Sequence, residues 1–263
     1  MSLTFGDHDD VVFGRAPLVS VLCQVTFPPV LSLMTAVGIA GFQTAVRSVY
    51  PTLLPAEQST DIAFGPQSLD IKQGAPVWRM VDEGGQWTLG ISAAFVSLET
   101  PNYTNIDEFL ERVSFVLKAL RRTIRPAESN RIGLRKINVI DADEYANDLG
   151  QLATIVRRDL LGPLGVSSFP AKISANFSQL EFADSFNSLV ARYGLGTKDG
   201  RDGFVLDLDY STEQPYTVDG DRGLLDLLRY FSDGMTSFFH WSITEEYKKR
   251  LEPSARSEWK SAE

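Results

Sequence analysis

Cysteine and histidine are almost missing from this chain of 263 residues: it holds Cys23, His8 and His240 and no others. A single cysteine forbids an intramolecular disulfide and any cysteine-rich zinc site, and it fits a reducing compartment. Two histidines cannot build a three-histidine zinc centre. A serine or cysteine triad would have to draw on His8 or His240, and no Gly-x-Ser-x-Gly elbow presents a serine. His8 stands between Asp7 and Asp9 in an acidic arm, and His240 ends an apolar run, where a packing histidine is expected. Cys23 falls on the apolar face of a strand and reads as a small hydrophobe. Long apolar runs are missing too. The uncharged segment Val30–Val46 carries Ser32, Thr35, Gly38, Gly41, Gln43 and Thr44. It falls short of the roughly 20 predominantly apolar residues of a membrane span. The opening MSLTFGDHDD is acidic where a secretory signal is basic. The expectation is a cytoplasmic protein with no membrane segment, no metal and no cofactor.

What is present is charge of one sign. Acids outnumber Lys and Arg by 34 to 25, a formal net charge of -9, so nucleic acid or an anionic membrane would need a local basic patch. One stretch offers it. Between positions 112 and 136 lie Arg112, Lys118, Arg121, Arg122, Arg125, Arg131, Arg135 and Lys136, against the single acid Glu128. Arg121, Arg122, Arg125, Arg131, Arg135 and Lys136 are the candidate binding residues, for phosphates or for an acidic protein surface. The plainer alternative is a solvated helix end that pairs with the chain's own acids.

Periodicity gives the elements. Val19, Val21, Cys23, Val25 and Phe27 alternate as a half-buried strand, and Ile39, Phe42, Val46 and Val49 follow at helical spacing up to Pro51. Strands are expected at Asp61–Phe64, Val77–Met80 and Trp87–Leu98, with a hairpin turn at Glu83, Gly84 and Gly85. The stripe Ile106, Phe109, Leu110, Val113, Leu117, Leu120 and Ile124 marks the clearest helix, and Ile132–Ile140 a strand with a bulge near Arg135 and Lys136. Beyond it the pattern predicts a helix or extended arm over 141–161 and a strand over Lys172–Phe177. A helix over Phe182–Tyr193, a loop over Gly194–Gly203, a strand over Phe204–Tyr210 and a helical region over 223–251 complete the expectation. Glu99-Thr100-Pro101-Asn102-Tyr103-Thr104 and Thr212-Glu213-Gln214-Pro215-Tyr216-Thr217 both join a strand to a helix, as a duplicated unit would. The chain is therefore expected to be α+β, with two similar halves, each a mainly antiparallel sheet with covering helices. Its expected parts are a flexible arm (1–16), an N-terminal half (17–141), a C-terminal half (142–252) and a polar tail (253–263).

Carboxylates and glycines offer the remaining chemistry. Asp207 and Asp209 project from one face of a strand, as a magnesium or calcium pair would. Leu206, Leu208 and Tyr210 form the opposite, apolar face, so the acids read equally as its solvated side. An EF-hand fails there, with Thr212 where glycine is needed and Val218 where glutamate is needed. Gly194-Leu195-Gly196-Thr197-Lys198 matches no phosphate-loop spacing and precedes a strand instead of a helix.

Short motifs carry a resemblance. Ala16-Pro17-Leu18-Val19 leads into a strand ending Phe27-Pro28-Pro29; Phe42-Gln43 and Tyr50-Pro51 follow. Arg131-Ile132-Gly133-Leu134-Arg135-Lys136-Ile137-Asn138 and the closing helix from Phe239 with Ile243 and Thr244 complete the set. In these the chain resembles a sporadically distributed family of bacterial proteins of about this length with no assigned activity. The resemblance covers most of the chain, with residues 30–38 as an insertion. The family's patchy distribution implies an accessory role such as phage defence or toxin neutralisation. The resulting expectation is a non-catalytic protein that binds a protein partner, with self-association open. A nucleic-acid-binding component is the alternative, and a carboxylate or metal-dependent hydrolase ranks last.

Overall fold

The computed structural model describes residues 3–6, 11–64, 69–145, 148–166, 170, 173, 175–198, 201–218 and 222–255. In chain order the elements are β1 (Val11–Phe13), β2 (Leu18–Thr26), α1 (Ala36–Val46), β3 (Thr52–Leu53), β4 (Glu57–Phe64), β5 (Leu69–Val81), β6 (Thr88–Ser92) and β7 (Phe95–Thr100). Then come α2 (Ile106–Thr123), β8 (Arg131–Asp141), α3 (Leu149–Leu152), α4 (Arg158–Leu161), β9 (Asn176–Asp184), β10 (Asn187–Lys198), β11 (Arg201–Thr212), α5 (Arg222–Ser242), α6 (Glu245–Arg250) and β12 (Pro253–Ala255). The fold is α+β. Two compact units divide it: a first unit of residues 20–134 and 211–229, and a second of residues 1–19, 135–210 and 230–263.

In the first unit the strand order is β3-β5-β6-β7-β2, with β4 also on β5. The alternation of β2 holds: Val21, Cys23 and Val25 are buried, while Leu22, Gln24 and Thr26 stay half-buried. Together with Val96, Leu98, Val113, Val116 and Leu117, the residues Cys23 and Val25 enclose a void of only about 10 Å³. That is room for no more than one water, so α2 is close-packed on β2 and β7. The β5–β6 turn forms where the glycines predict it. Gly85 takes φ +63°, and Asp82 Oδ1 accepts from the amides of Gln86 and Trp87 at 2.8 and 2.9 Å. The expected strand over Trp87–Leu98 is two strands, with Ser92 paired to Phe95 across Ala93-Ala94. Neither alanine signals a turn. Their carbonyls are taken by the amides of Val30 and Phe27, at 2.8 and 2.9 Å, which supplies from a distant segment what the local sequence lacks.

In the second unit the order is β8-β11-β10-β9. Five strands, β3 to β7, lie between α1 and α2, and three, β9 to β11, between α4 and α5; β7 lies beside β2 and β11 beside β8. The helix expected over Phe182–Tyr193 is a hairpin instead. Residues 176–184 pair antiparallel with 187–195 through a turn at Ser185 (φ +52°) and Phe186. Phe182, Phe186, Leu189, Val190 and Tyr193 mimic helical spacing, yet Phe186 is 72% exposed in the turn and burial alternates through Leu189, Ala191 and Tyr193. Of the strand expected over Lys172–Phe177, Lys172 and Ser174 lie outside the described residues and β9 starts at Asn176, while Gly194–Lys198 continues β10 where a loop was expected. The described residues of 141–161 form short turns and helices, with α3 and α4 of four residues each. The strand expected over Ile132–Ile140 is β8, with Ile132, Leu134, Lys136, Asn138 and Ile140 buried along it, as are Gly133 and Val139.

Within the expected flexible arm, Phe5 and β1 are packed, while Gly14, Arg15 and Ala16 are exposed. Phe5 N donates to Ser237 Oγ at 2.8 Å, its ring meets Phe182 and Phe238 edge-on, and β1 pairs with β12 at the start of the expected polar tail. His8 lies outside the described residues. Among the described residues no helix is long and apolar enough to cross a membrane.

Candidate binding surfaces

The six candidate cations fall into different surroundings. Arg121, Arg122 and Arg125 are exposed at the C-terminal end of α2. The helix stops there because Arg125 turns left-handed (φ +57°), with the amides of Ile124 and Arg125 both on Leu120 O. Arg131 is half-buried and lies flat over Gly133, where a Cβ would come within 2.6 Å of its Nη1. Arg135 grips Asp207 with two parallel bonds, Nε to Oδ1 at 2.7 Å and Nη2 to Oδ2 at 2.6 Å. Lys136 is 8% exposed, with Nζ donating to Ser232 Oγ at 2.8 Å and Thr236 Oγ1 at 3.2 Å. Its place on the core face of β8 follows from the alternation of that strand.

Asp207 is not on a solvated face. It is 7% exposed, and Arg192 Nη1 lies 4.0 Å from Oδ2, the oxygen that Arg135 Nη2 also binds. Among the described residues no group of three His, Cys, Asp or Glu side chains is placed to hold a metal ion. His240 is buried and stacks on Phe13 with ring centres 5.0 Å apart. Cys23 is buried, and desolvation pushes its thiol up to about 12, where it is no nucleophile at neutral pH. A polar cluster absent from the sequence-based expectations joins Asp184, Tyr210 and Tyr230. Both hydroxyls donate to Asp184 Oδ2, that of Tyr210 at 2.8 Å. Burial opposes the charge on Asp184, but the two hydroxyls outweigh it and hold the carboxyl below its usual range.

Two surfaces of the first unit stand out. The first is apolar. A 3-10 turn at Leu31–Met34 leads through the cap Thr35, whose side chain accepts from Gly38 N at 3.2 Å, into α1. Ile39, Phe42 and Val46 face inward, and the other side leaves Val37 88%, Leu31 77% and Met34 44% exposed. No charged residue occurs between Arg15 and Arg47. The second is a groove of about 590 Å³ between α2 and the first turns of α5. Asp107, Leu110, Glu111, Ser114, Phe115 and Lys118 line one wall, and Arg222, Leu225, Asp226 and Arg229 the other. Asn105 caps α2 by accepting from Glu108 N at 2.9 Å, and the next residues begin the groove stripe. Arg229 Nη2 closes one end on Asp107 Oδ1 at 2.7 Å. Sequence reasoning passed over this site because its two stripes flank the apolar faces of helices more than a hundred positions apart. The repeat of Asp107, Glu111, Ser114 and Lys118 along α2 was its one visible signal.

No family model matches the chain, and no curated protein or solved structure is similar to it.

Proposed function

We propose that this chain is a non-catalytic binding and assembly protein that seats a protein partner on the surface formed by Leu31–Met34 and α1. The exposure of Leu31, Met34 and Val37 carries the reading. On a chain in which 22% of residues are charged, a surface segment with none has little to lose by desolvation. Burying one such side chain against a partner is worth roughly 1.5–3 kcal/mol, so three can anchor an interface. The surface covers the stretch that looks inserted relative to the family the chain resembles. A partner-specific contact there fits an accessory role in a defence or toxin-neutralising complex in the cytoplasm.

An internal duplication belongs to the same reading. It is supported by the place of β7 beside β2 and of β11 beside β8, and by the two connections after β7 and β11. In each, a buried strand-ending threonine accepts from the amide two residues on, Thr100 from Asn102 N at 3.1 Å and Thr212 from Gln214 N at 3.2 Å. A nucleic-acid component is the second reading, favoured by the exposure of Arg121, Arg122 and Arg125.

The test is capture from native-host lysate on immobilised wild-type chain and on the Val37→Glu variant. Val37 is solvent-facing, so the variant should melt with the wild type. A stoichiometric protein partner held by wild type and weakened about tenfold or more by Val37→Glu is the expected result. A partner held equally by both, or none, removes the reading.

A further inference from the structure

β9 ends the strand order of the second unit, and among the described residues β10 is its only partner strand. The hydrogen-bonded turn between them holds two residues, so the closing pair Asp184–Asn187 exchanges backbone bonds. Alternation carries the same pattern to Phe182–Leu189, Leu180–Ala191 and Ser178–Tyr193. The amides and carbonyls of Phe177, Gln179, Glu181 and Ala183 therefore point away from β10, and among the described residues no other backbone group bonds them. Natural sheet edges are blunted by lysine, proline, a bulge or short length. β9 has none of these: it runs nine residues as NFSQLEFAD, and its register with β10 is unbroken. It also leaves Phe177 71% and Leu180 37% exposed.

We infer that β9 pairs antiparallel with β9 of a second copy of this chain, joining the two sheets edge to edge about a two-fold axis. Overlap of all nine residues sets Leu180 against Leu180 on the axis, Gln179 against Glu181, Phe177 against Ala183 and Asn176 against Asp184. In this register the outward residues meet one another, in four facing pairs that exchange about eight backbone bonds. No like charges stand opposite, and each carboxylate faces a side-chain amide. Moving the axis one residue later would set Glu181 on Glu181, and one residue earlier would leave Ala183 and Asp184 without partners. The sequence of the edge thus complements itself in the register that buries most of it. The site is separate from the α1 surface and stands or falls independently of it.

Sedimentation velocity of the full chain at about 5–100 μM should show a concentration-dependent dimer. About 150 mM salt is used, to screen the repulsion between two copies that each carry a net charge of -9. Leu180→Lys and Leu180→Glu each put like charges on the axis and should weaken the dimer about tenfold or more. An equimolar mixture of the two should restore it as a heterodimer, because only this register sets position 180 against itself. Gln179→Pro removes an outward amide and leaves the bonds to β10 in place, so it should fold and stay monomeric. Val37→Glu should leave the dimer unchanged. A wild-type chain monomeric through about 100 μM, a dimer that Gln179→Pro retains, a mixture that stays monomeric, or a dimer lost with Val37→Glu overturns the inference. Melting curves identify any variant that misfolds. The proline variant and the charge-swapped pair each decide without the other.

Discussion

Asp184 accepts hydroxyl bonds from Tyr210 and Tyr230, and Asn187 Nδ2 stands 3.5 Å from the same oxygen. Hydrogen bonds to the ionised form are the reason its carboxyl titrates below the ordinary range despite partial burial. The same bonds act on the donors: burial pushes both hydroxyls upward, Tyr230 and then the carboxylate add to this for Tyr210, and the carboxylate adds to it for Tyr230, which keeps both protonated as donors. The linkage has a definite sign. A depressed folded-state carboxyl contributes stability above its unfolded value near 3.9, and that contribution is lost as pH falls through the folded value. Asp184→Asn should therefore cost on the order of 1 kcal/mol at pH 7, with the gap to wild type closing toward about pH 3. Urea midpoints at the two pH values check this; a gap independent of pH would show that Asp184 acts by shape alone. Asp207 illustrates a different balance at the same scale. Two guanidinium groups offset its desolvation, which is how a carboxylate comes to rest 7% exposed on a sheet.

At the scale of elements, backbone contacts decide what side-chain patterns leave open. Gly194 pairs with Phe177 in the β9–β10 hairpin at φ +149°, and a Cβ there would lie 2.0 Å from Asn176 O. The obstacle is backbone, so a side chain cannot be accommodated by a rotamer change. Gly194→Ala should destabilise the protein by about 3 kcal/mol. Thermal melting measures it, and a cost below about 1 kcal/mol would mean the hairpin has room that this geometry denies. That hairpin also marks where sequence reasoning stopped. α2 was legible to within a residue because seven apolar positions at helical spacing and a basic C-terminal end agree. β2 was legible because Val21, Cys23 and Val25 alternate with the less buried Leu22, Gln24 and Thr26. The 182–193 segment satisfied both periods at once, and only the register with β9 resolves it. In β8, Lys136 and Asn138 interrupt an apolar face in composition but not in burial, since Ser232, Thr236 and the carbonyl of Leu206 solvate them. Of the candidate site, the exposure of Arg121, Arg122 and Arg125 was legible from their place at a helix end. The engagement of Arg135 by Asp207, 72 positions away, was not.

For the whole molecule, the question is whether three exposed arginines can outweigh the field of the rest. The net charge of -9 divides into -3 on the first unit, with 11 cations and 14 acids, and -6 on the second, with 14 cations and 20 acids. The arginines stand on the less acidic unit, but at the C-terminal end of α2, where the helix dipole itself presents partial negative charge. Three phosphate contacts would release counterions with a logarithmic salt slope of about -2.7 on duplex DNA, too few to overcome repulsion from an acidic body at physiological salt. The wild-type chain should therefore bind neither RNA, single-stranded DNA nor duplex DNA at about 50 mM salt, where electrostatic attraction is near its strongest. Filter binding or anisotropy with the three nucleic acids is sufficient to decide it. Binding whose slope falls by about one unit for each of Arg121, Arg122 and Arg125 replaced by alanine would instead place phosphates at the end of α2. The nucleic-acid reading would then displace the apolar surface as the account of what this chain does.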